Sequence, residues 1–319
     1  MKRVAIRLMI MAVLSKMIGL LKTLILSYYY GATAISDVYL ISLAIPSIIV
    51  GFISAGVTTS YIPMYSDILY KRGCDIANRY TSNLITILIS LCTIVVLGVL
   101  LLTEPIIKLF ASGFSGETLS LAIRFSRISV LGVYTTALMG VFAGLLRLNG
   151  NYVIPAVVGI PMNIIVITAI FISVKTSVLV LSIGSLMAIT LQLVILVFFA
   201  RKEGYRYSFI FDLKNEHIRT MVSMSLPVIV GTSVNEINSL VDRTIASGIV
   251  VGGISALDYA YRLNGFVQGL FVVSISTVLY PMISKMAAEN NIKGLKASIS
   301  EAISVINLLV IPATIGAMI

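Results

Sequence analysis

The sequence predicts an all-α polytopic membrane protein, and three observations support this fold class. Hydrophobic residues make up 58% of its 319 residues, charged residues make up 11%, and the mean hydropathy is +1.05, which leaves too little polar surface for a water-soluble globule. Apolar runs of about 20 residues, the length of a membrane-spanning helix, recur along the chain. Basic residues lie mainly between these runs, so the net charge of +10 indicates membrane topology rather than a nucleic-acid surface.

Nine apolar runs are predicted to span the membrane. They lie near residues 8–29, 37–62, 82–103, 122–146, 153–173, 178–200, 221–247, 255–282 and 298–318. If the N-terminus is cytoplasmic, fifteen lysines and arginines fall in the inner segments and two in the outer loops, as the positive-inside rule requires. We therefore expect a multi-pass protein of the cytoplasmic membrane with its N-terminus inside. The first run is expected to remain, because Lys16 interrupts it and further spans follow.

An internal repeat divides the chain into two predicted lobes. A shift of 218 positions aligns residues 61–66 with residues 279–284, and six spans separate the two copies. Both copies therefore have the same orientation, as in transporters whose parallel repeats are related by an axis along the membrane normal. The expected architecture is a two-lobed transporter bundle, with a six-span N-lobe at 1–205 and the first three spans of a C-lobe at 206–319.

The first span carries two lysines, Lys16 and Lys22. An ammonium group at bilayer depth costs at least ~3 kcal/mol unless it faces protein or water. At about 100° per residue, every polar or glycine position from Ser15 to Ser27 falls in one sector of roughly 140°. We expect this face of the helix to border a wet, anionic space.

The seventh span is polarised in the same way. Its polar residues share one face and are Thr232, Asn235, Glu236, Asn238, Ser239, Asp242 and Arg243. Two polar helices at equivalent places in two lobes predict a shared cavity. For the amides and the hydroxyl of Ser239, the alternative to a cavity is interhelical hydrogen bonding. For the charged residues, the alternative is internal ion pairing. In the eighth span, Arg262 is a candidate anion ligand, because no orientation signal would place an arginine there.

Few residues suit catalysis or metal binding. The only histidine, His217, lies in a polar connection between two spans, and Cys74 and Cys92 suit neither a disulfide nor a metal motif. The chain lacks the clustered carboxylates or histidines that a membrane glycosyltransferase or ligase needs. The lysines of the first span argue against a drug or cation antiporter, whose cavity would be acidic.

Several motifs together resemble one transporter family. They are Ser15–Lys22, Gly31-Ala32, Ser36-Asp37, Ile45-Pro46, Tyr61-Ile62-Pro63, Leu148–Pro155, Ile237–Asp242 and Tyr259–Leu263. In this order they resemble the MurJ/MviN lipid II flippases of the multidrug, oligosaccharidyl-lipid and polysaccharide exporter superfamily. The resemblance implies a V-shaped transporter that is not an enzyme. It would move an undecaprenyl-pyrophosphate-linked saccharide from the inner to the outer leaflet of a bacterial membrane by alternating access.

The resemblance also implies roles for individual residues. Lys16, Lys22 and Arg262 match the cationic positions that hold the diphosphate, and Asp37 matches an acidic residue of the outer gate. Asp242 is a candidate for coupling to a Na⁺ or H⁺ gradient or to the membrane potential. The remaining candidate cavity residues are Asn235, Glu236 and Arg243. No bound cofactor or nucleic acid is expected, and the expected partners are the lipid-linked saccharide and the bilayer, with the protein acting as a monomer.

Two departures from the family pattern bear on cargo and extent. Val50 stands where the family usually has an arginine, and Ala55 replaces an acidic residue. One charge of the cationic set is therefore missing, which leaves the cargo open between lipid II, the peptidoglycan precursor, and another polyprenyl-linked unit of O-antigen or capsule type. The chain also ends within the second lobe, which suggests a truncated form or a fragment.

Overall fold

The computed structural model describes residues 2–318 apart from 273–274, 276–278, 280–281, 284–285, 288 and 290. The described chain is helical, as the apolar runs predict. Its helices are α1 (Lys2–Tyr30), α2 (Ala34–Arg72), α3 (Cys74–Leu101), α4 (Thr103–Phe110), α5 (Gly116–Ser129), α6 (Gly132–Leu148), α7 (Val153–Val157), α8 (Gly159–Lys175), α9 (Leu179–Lys202), α10 (Glu216–Ile249), α11 (Gly253–Val267) and α12 (Ile292–Met318). A π-helical turn, Gln268–Val272, directly follows α11.

Six of the described helical segments are long and apolar enough to cross a membrane. They correspond to the second to sixth and the ninth predicted spans. The helix α10 is not among them despite its 34 residues, because its polar side chains lower its hydropathy. The predicted fourth span, near 122–146, is split between α5 and α6. Part of the predicted eighth span and of the repeat copy at 279–284 lies outside the described residues.

The described chain forms two compact units, Met1–Leu257 and Asp258–Ile319. In the first unit α2 is the central helix and packs against α3, α5, α6 and α10, while α8 packs against α1 and α9. The first unit extends beyond residue 205 because α10 packs closely on α2. The lobe boundary at 205/206 was inferred from the repeat and stays a prediction.

Apolar and aromatic side chains from α2, α3 and α6 form the core of the first unit. Tyr61 of α2 is fully buried, and its ring stacks on that of Tyr80 of α3 at a centroid distance of 6.1 Å. The hydroxyl of Tyr61 lies 2.9 Å from that of Thr81, so its polar end is satisfied within the core. This packing fixes α2, the helix that carries Asp37 at its start.

Candidate functional site

Part of the polar face of α1 packs against α8. A Cβ atom at Gly159 would lie 2.9 Å from the hydroxyl of Ser15, and one at Gly19 would lie 3.8 Å from the amide of Asn163. Thr23 is buried, and its hydroxyl donates to the carbonyl of Gly19 at 3.2 Å. Small residues let two membrane helices approach closely. The prediction of a wet face is therefore wrong for Ser15, Gly19 and Thr23.

The two lysines of α1 lie at the edges of this packed strip. Lys16 is exposed and Lys22 is half-buried. They are six positions apart in the sequence, so their backbones are about 9 Å apart along the helix axis, and their directions differ by about 120°. With Ser15, Gly19 and Thr23 occupying the angles between them, the lysines flank the contact with α8.

Asp37 is buried in the first turn of α2, with 2% of its surface exposed. Local structure fixes this turn, because the Ser36 hydroxyl accepts from the N–H of Thr33 at 3.1 Å. The Asp37 carboxylate accepts three hydrogen bonds of 2.7 Å, from the N–H of Gly252 and from the N–H and the hydroxyl of Ser255. Asp37 thus joins the start of α2 to the start of α11, across 215 residues of sequence.

Two glycines allow helices to meet closely at the same end of the bundle. Gly252 has a φ of +87°, and a Cβ there would overlap the carbonyl of Ala32. A Cβ at Gly113, between α4 and α5, would overlap the carbonyl of Ser247 near the end of α10. The Gly113 N–H also donates to the Ser247 hydroxyl at 3.1 Å. We call these contacts, together with those of Asp37, the closed end.

The polar residues of α10 bond partly within the helix. The amide of Asn238 donates to Asp242 at 3.5 Å, and the guanidinium of Arg243 donates to Ser239 at 3.4 Å. Asp242 and Arg243 are half-buried, and Asn235 is exposed. Each of these two bonds joins a charged residue to a neutral one within α10, so they are neither interhelical bonds nor ion pairs, and the roles of these residues stay predictions.

Glu236 of α10 lies against α2. A Cβ at Gly51 would be 3.2 Å from a carboxylate oxygen of Glu236, which is half-buried. The neighbouring Val50, which replaces the arginine expected from the family pattern, is fully buried. At this point of the α2–α10 contact the chain therefore places a carboxylate over a glycine, with an apolar side chain at the adjacent position.

Arg262 belongs to the second compact unit and is paired on its own helix. Its Nε donates to the carboxylate of Asp258, one turn earlier, at 2.5 Å, and the two side chains are 44% and 8% exposed. An anion that binds Arg262 would compete with this buried carboxylate.

Sequence reasoning found Asp37 but missed its partners. The partners Gly252 and Ser255 lie beyond the predicted seventh span, where the pair Gly252-Gly253 marks a turn. Gly113 gave no signal that distinguishes it from an ordinary loop glycine. Within the described residues no group of three or more His, Cys, Asp or Glu side chains could hold a metal ion.

Comparison with known proteins gives the chain a family. Residues 26–319 match the family model described as lipid II flippase MurJ. A probable lipid II flippase MurJ of Buchnera aphidicola is 25% identical over 316 residues, which cover 97% of this chain and 62% of the relative. One from Aquifex aeolicus is 28% identical and matches 85% of this chain and 54% of the relative. The chain thus spans roughly three fifths of these curated relatives.

Two solved transporter structures have the same fold as this chain. A structure of lipid II flippase MurJ in an inward closed conformation superposes with a TM-score of 0.81 at 25% identity, over 98% of this chain and 64% of that one. An inward-facing multidrug resistance MATE transporter superposes with a TM-score of 0.72 at 16% identity, over 93% of this chain and 69% of that one. The second likeness supports the fold alone.

Proposed function

Because the chain belongs to the lipid II flippase MurJ family, we propose that it serves to translocate a polyprenyl-pyrophosphate-linked saccharide, lipid II, across the bacterial cytoplasmic membrane. A flippase is a transporter, and the family is not one of enzymes. The observation that carries the proposal is the closed end, where buried Asp37 joins α2 to the start of α11. Alternating access requires such an end that seals in one state and parts in the other.

Cationic side chains supply the chemistry for the diphosphate. In a poorly solvated site, charge-assisted bonds from Lys16, Lys22 and Arg262 to phosphate oxygens are stronger than in water. Two of the three are lysines, which act as point charges and lack the bidentate fork of arginine. Arg262 would exchange Asp258 for the diphosphate when cargo binds.

The orientation and the coupling complete the proposal. The N-terminus is cytoplasmic, so the closed end lies on the outer side and Asp37 acts as the outer gate. The protein acts as a monomer in the bilayer. Asp242 couples transport to a cation gradient, and Asn235, Glu236 and Arg243 provide further polar groups of the cavity. If Asp242→Asn left transport unchanged across Na⁺ and pH conditions, the coupling role would be wrong.

Neutralising the cationic residues tests the function. Lys22→Ala or Arg262→Ala, at unchanged protein level, should abolish rescue of a strain depleted of its lipid II flippase, whereas Lys22→Arg should preserve rescue. The matched control is Lys71→Ala, since Lys71 is exposed and paired with Asp67 at 2.8 Å. Full rescue by Lys22→Ala and Arg262→Ala would refute the assignment.

A second cargo is favoured by one observation. The buried Val50 removes a charge of the family pattern, and the adjacent Gly51 faces Glu236. A less cationic α2 suits another polyprenyl-linked polysaccharide unit, of O-antigen or capsule type. Mass spectrometry of the lipid that co-purifies with the protein distinguishes the two, because a pentapeptide-bearing headgroup identifies lipid II and a peptide-free oligosaccharide identifies the alternative.

A further inference from the structure

The connection from α9 to α10, residues 203–215, is bound along the first third of α3, and we call it the strap. Asn83 of α3, only 1% exposed, holds it with two hydrogen bonds of 2.8 Å, one to the carbonyl and one from the N–H of Asp212. The hydroxyl of Tyr205 lies 3.0 Å from that of Ser82, and burial raises the pKa of Tyr205 to about 12. The bonds from Asn83 and the contact of Tyr205 with Ser82 give the strap a defined position.

The strap lies at the boundary of the hydrocarbon layer. Residues 84–102 of the chain are uncharged and predominantly apolar and begin immediately after Asn83. A helix of that length covers about 28 Å, close to the ~30 Å thickness of the hydrocarbon core. At the other side of the strap, α9 ends with Arg201 and Lys202, so both helices place the strap at one edge of the apolar layer.

Large apolar side chains of the strap point away from α3. Phe209, Phe211 and Leu213 are 79%, 52% and 58% exposed. Arg206 and Lys214 flank them and are also exposed. Aromatic residues next to basic ones are typical of segments that lie among lipid headgroups.

A cavity of about 280 Å³ lies between the strap, α3 and the start of α10. Two of the strap residues that line it, Ile210 and Asp212, alternate with Phe209, Phe211 and Leu213. Its lining residues are Ile76, Arg79, Tyr80, Asn83, Ile210, Asp212, Asn215 and His217. At ~30 Å³ per water molecule, its volume equals that of about nine waters, which accommodates a phosphate with an attached glycerol and is smaller than the usual drug-sized site.

The polar groups in the cavity favour an anion. Arg79 has no carboxylate partner among the residues that the structure describes, and its guanidinium presents a fork of donors that fits phosphate. His217 adds an imidazole that can donate. The acidic member, Asp212, already accepts the N–H of Lys214 at 2.9 Å, so part of its charge is compensated.

We propose that this cavity binds the phosphate group of an anionic phospholipid, with Arg79 as its principal ligand, while Phe209, Phe211 and Leu213 insert among the neighbouring lipids. The same phosphate chemistry occurs in soluble anions, but the exposed apolar side chains and the edge of the apolar layer favour a lipid headgroup. The site lies on the face of α3 and does not involve Lys16, Lys22 or Arg262. It therefore does not depend on which saccharide the protein carries.

The absence of tryptophan from the chain allows a direct test. Phe209→Trp introduces a single indole at a 79% exposed position. The full chain is reconstituted in vesicles of phosphatidylcholine and phosphatidylglycerol in which one lipid or the other carries bromine atoms that quench indole fluorescence. Brominated phosphatidylglycerol should quench more strongly than brominated phosphatidylcholine at equal mole fraction.

A second substitution assigns the preference to the cavity. Arg79→Gln should lower the preference for phosphatidylglycerol about tenfold or more, the effect expected when a direct hydrogen bond to a charged group is lost. Arg147→Gln is the matched control, because Arg147 is exposed at the end of α6 and does not line the cavity, and it should leave the preference unchanged.

Three results would overturn the proposal. Equal quenching by the two lipids in the Phe209→Trp protein would show that the strap does not select a headgroup. An equal loss in Arg79→Gln and Arg147→Gln would show diffuse surface attraction without a site. Loss of the preference on addition of inorganic phosphate at constant ionic strength would show that the cavity takes a soluble anion.

Discussion

Removing the charge of Asp37 should open the closed end. In Asp37→Asn the side chain keeps its shape, but the carboxylate that accepts from Gly252 and Ser255 becomes an amide with a single acceptor. Hydrogen bonds to a charged group contribute about 1.5–3 kcal/mol each, and an opposed buried N–H costs about 1–3 kcal/mol more. We expect a loss of about 3 kcal/mol from the closed state, which is roughly a hundredfold change in the opening equilibrium.

Thiol labelling measures this opening. Ile254 is 1% exposed and lies between the two residues that bond to Asp37, so Ile254→Cys places a thiol that is protected while the end is closed. Exposed Cys74 is replaced by serine, and buried Cys92 is kept. A membrane-impermeant maleimide added to cells should label the introduced thiol far faster in the Asp37→Asn background.

Two comparisons separate opening from unfolding. Asp67→Asn is the matched control, because Asp67 lies on the same helix in an exposed ion pair with Lys71, and such pairs contribute little, about 0–1 kcal/mol. Cys92 should remain unlabelled in every variant, since it is 1% exposed in the core and reacts only if the bundle unfolds. Labelling of Asp37→Asn at the rate of Asp67→Asn would refute the reasoning.

Three further predictions follow from single contacts. Gly113→Ala should also speed labelling of the thiol introduced at Ile254, because its Cβ would overlap backbone atoms of α10. Gly98→Ala should not change the labelling rate, because Gly98 has open space around it. Equal labelling rates in the two variants would contradict the close approach at Gly113. Asn83→Ala should raise the rate of trypsin cleavage within the strap several-fold, since both bonds to the strap are lost, and an unchanged rate would contradict the clamp. If Arg262 is an anion ligand, Asp258→Asn should strengthen binding of inorganic pyrophosphate to the purified protein by about tenfold, because the carboxylate that competes for Arg262 is removed. Calorimetry measures this binding. Weaker or unchanged binding would indicate that Arg262 and Asp258 form a structural pair.

Much of the fold could be predicted from the sequence because membrane helices are encoded locally. Runs of about 20 apolar residues suffice to locate them, and the ends of α2 and α9 follow from glycines and basic residues. The turn between α5 and α6 was missed, since residues 122–146 form one apolar run without proline. Gly132 at this turn packs against Ile189 of α9, a distant contact that no local pattern reveals.

The candidate site was predictable in its residue types and not in its contacts. The position of Asp37 at the start of a span was evident, but its ligands lie 215 and 218 residues away. Helical periodicity alone could not show that α8 occupies the strip of small residues on α1. An angular sector of polar and small residues has two interpretations, a wet face or a tight helix contact, and only the partner helix decides between them.

The packed strip on α1 also explains how lysines can be placed at bilayer depth. Ser15, Gly19 and Thr23 bring α1 close to α8 and fix its rotation. With that rotation fixed, Lys16 and Lys22 emerge on opposite edges of the contact and neither is directed into the packed strip. A diphosphate carries its charge on oxygens of two phosphorus atoms, so ligands that approach from separate directions suit it.

The small residues then position the lysines, and substituting Gly19 with leucine should impair rescue of a flippase-depleted strain as severely as Lys22→Ala although no charge is removed. A Gly19→Leu variant with full rescue would separate the helix contact from the function and leave the lysines to act alone.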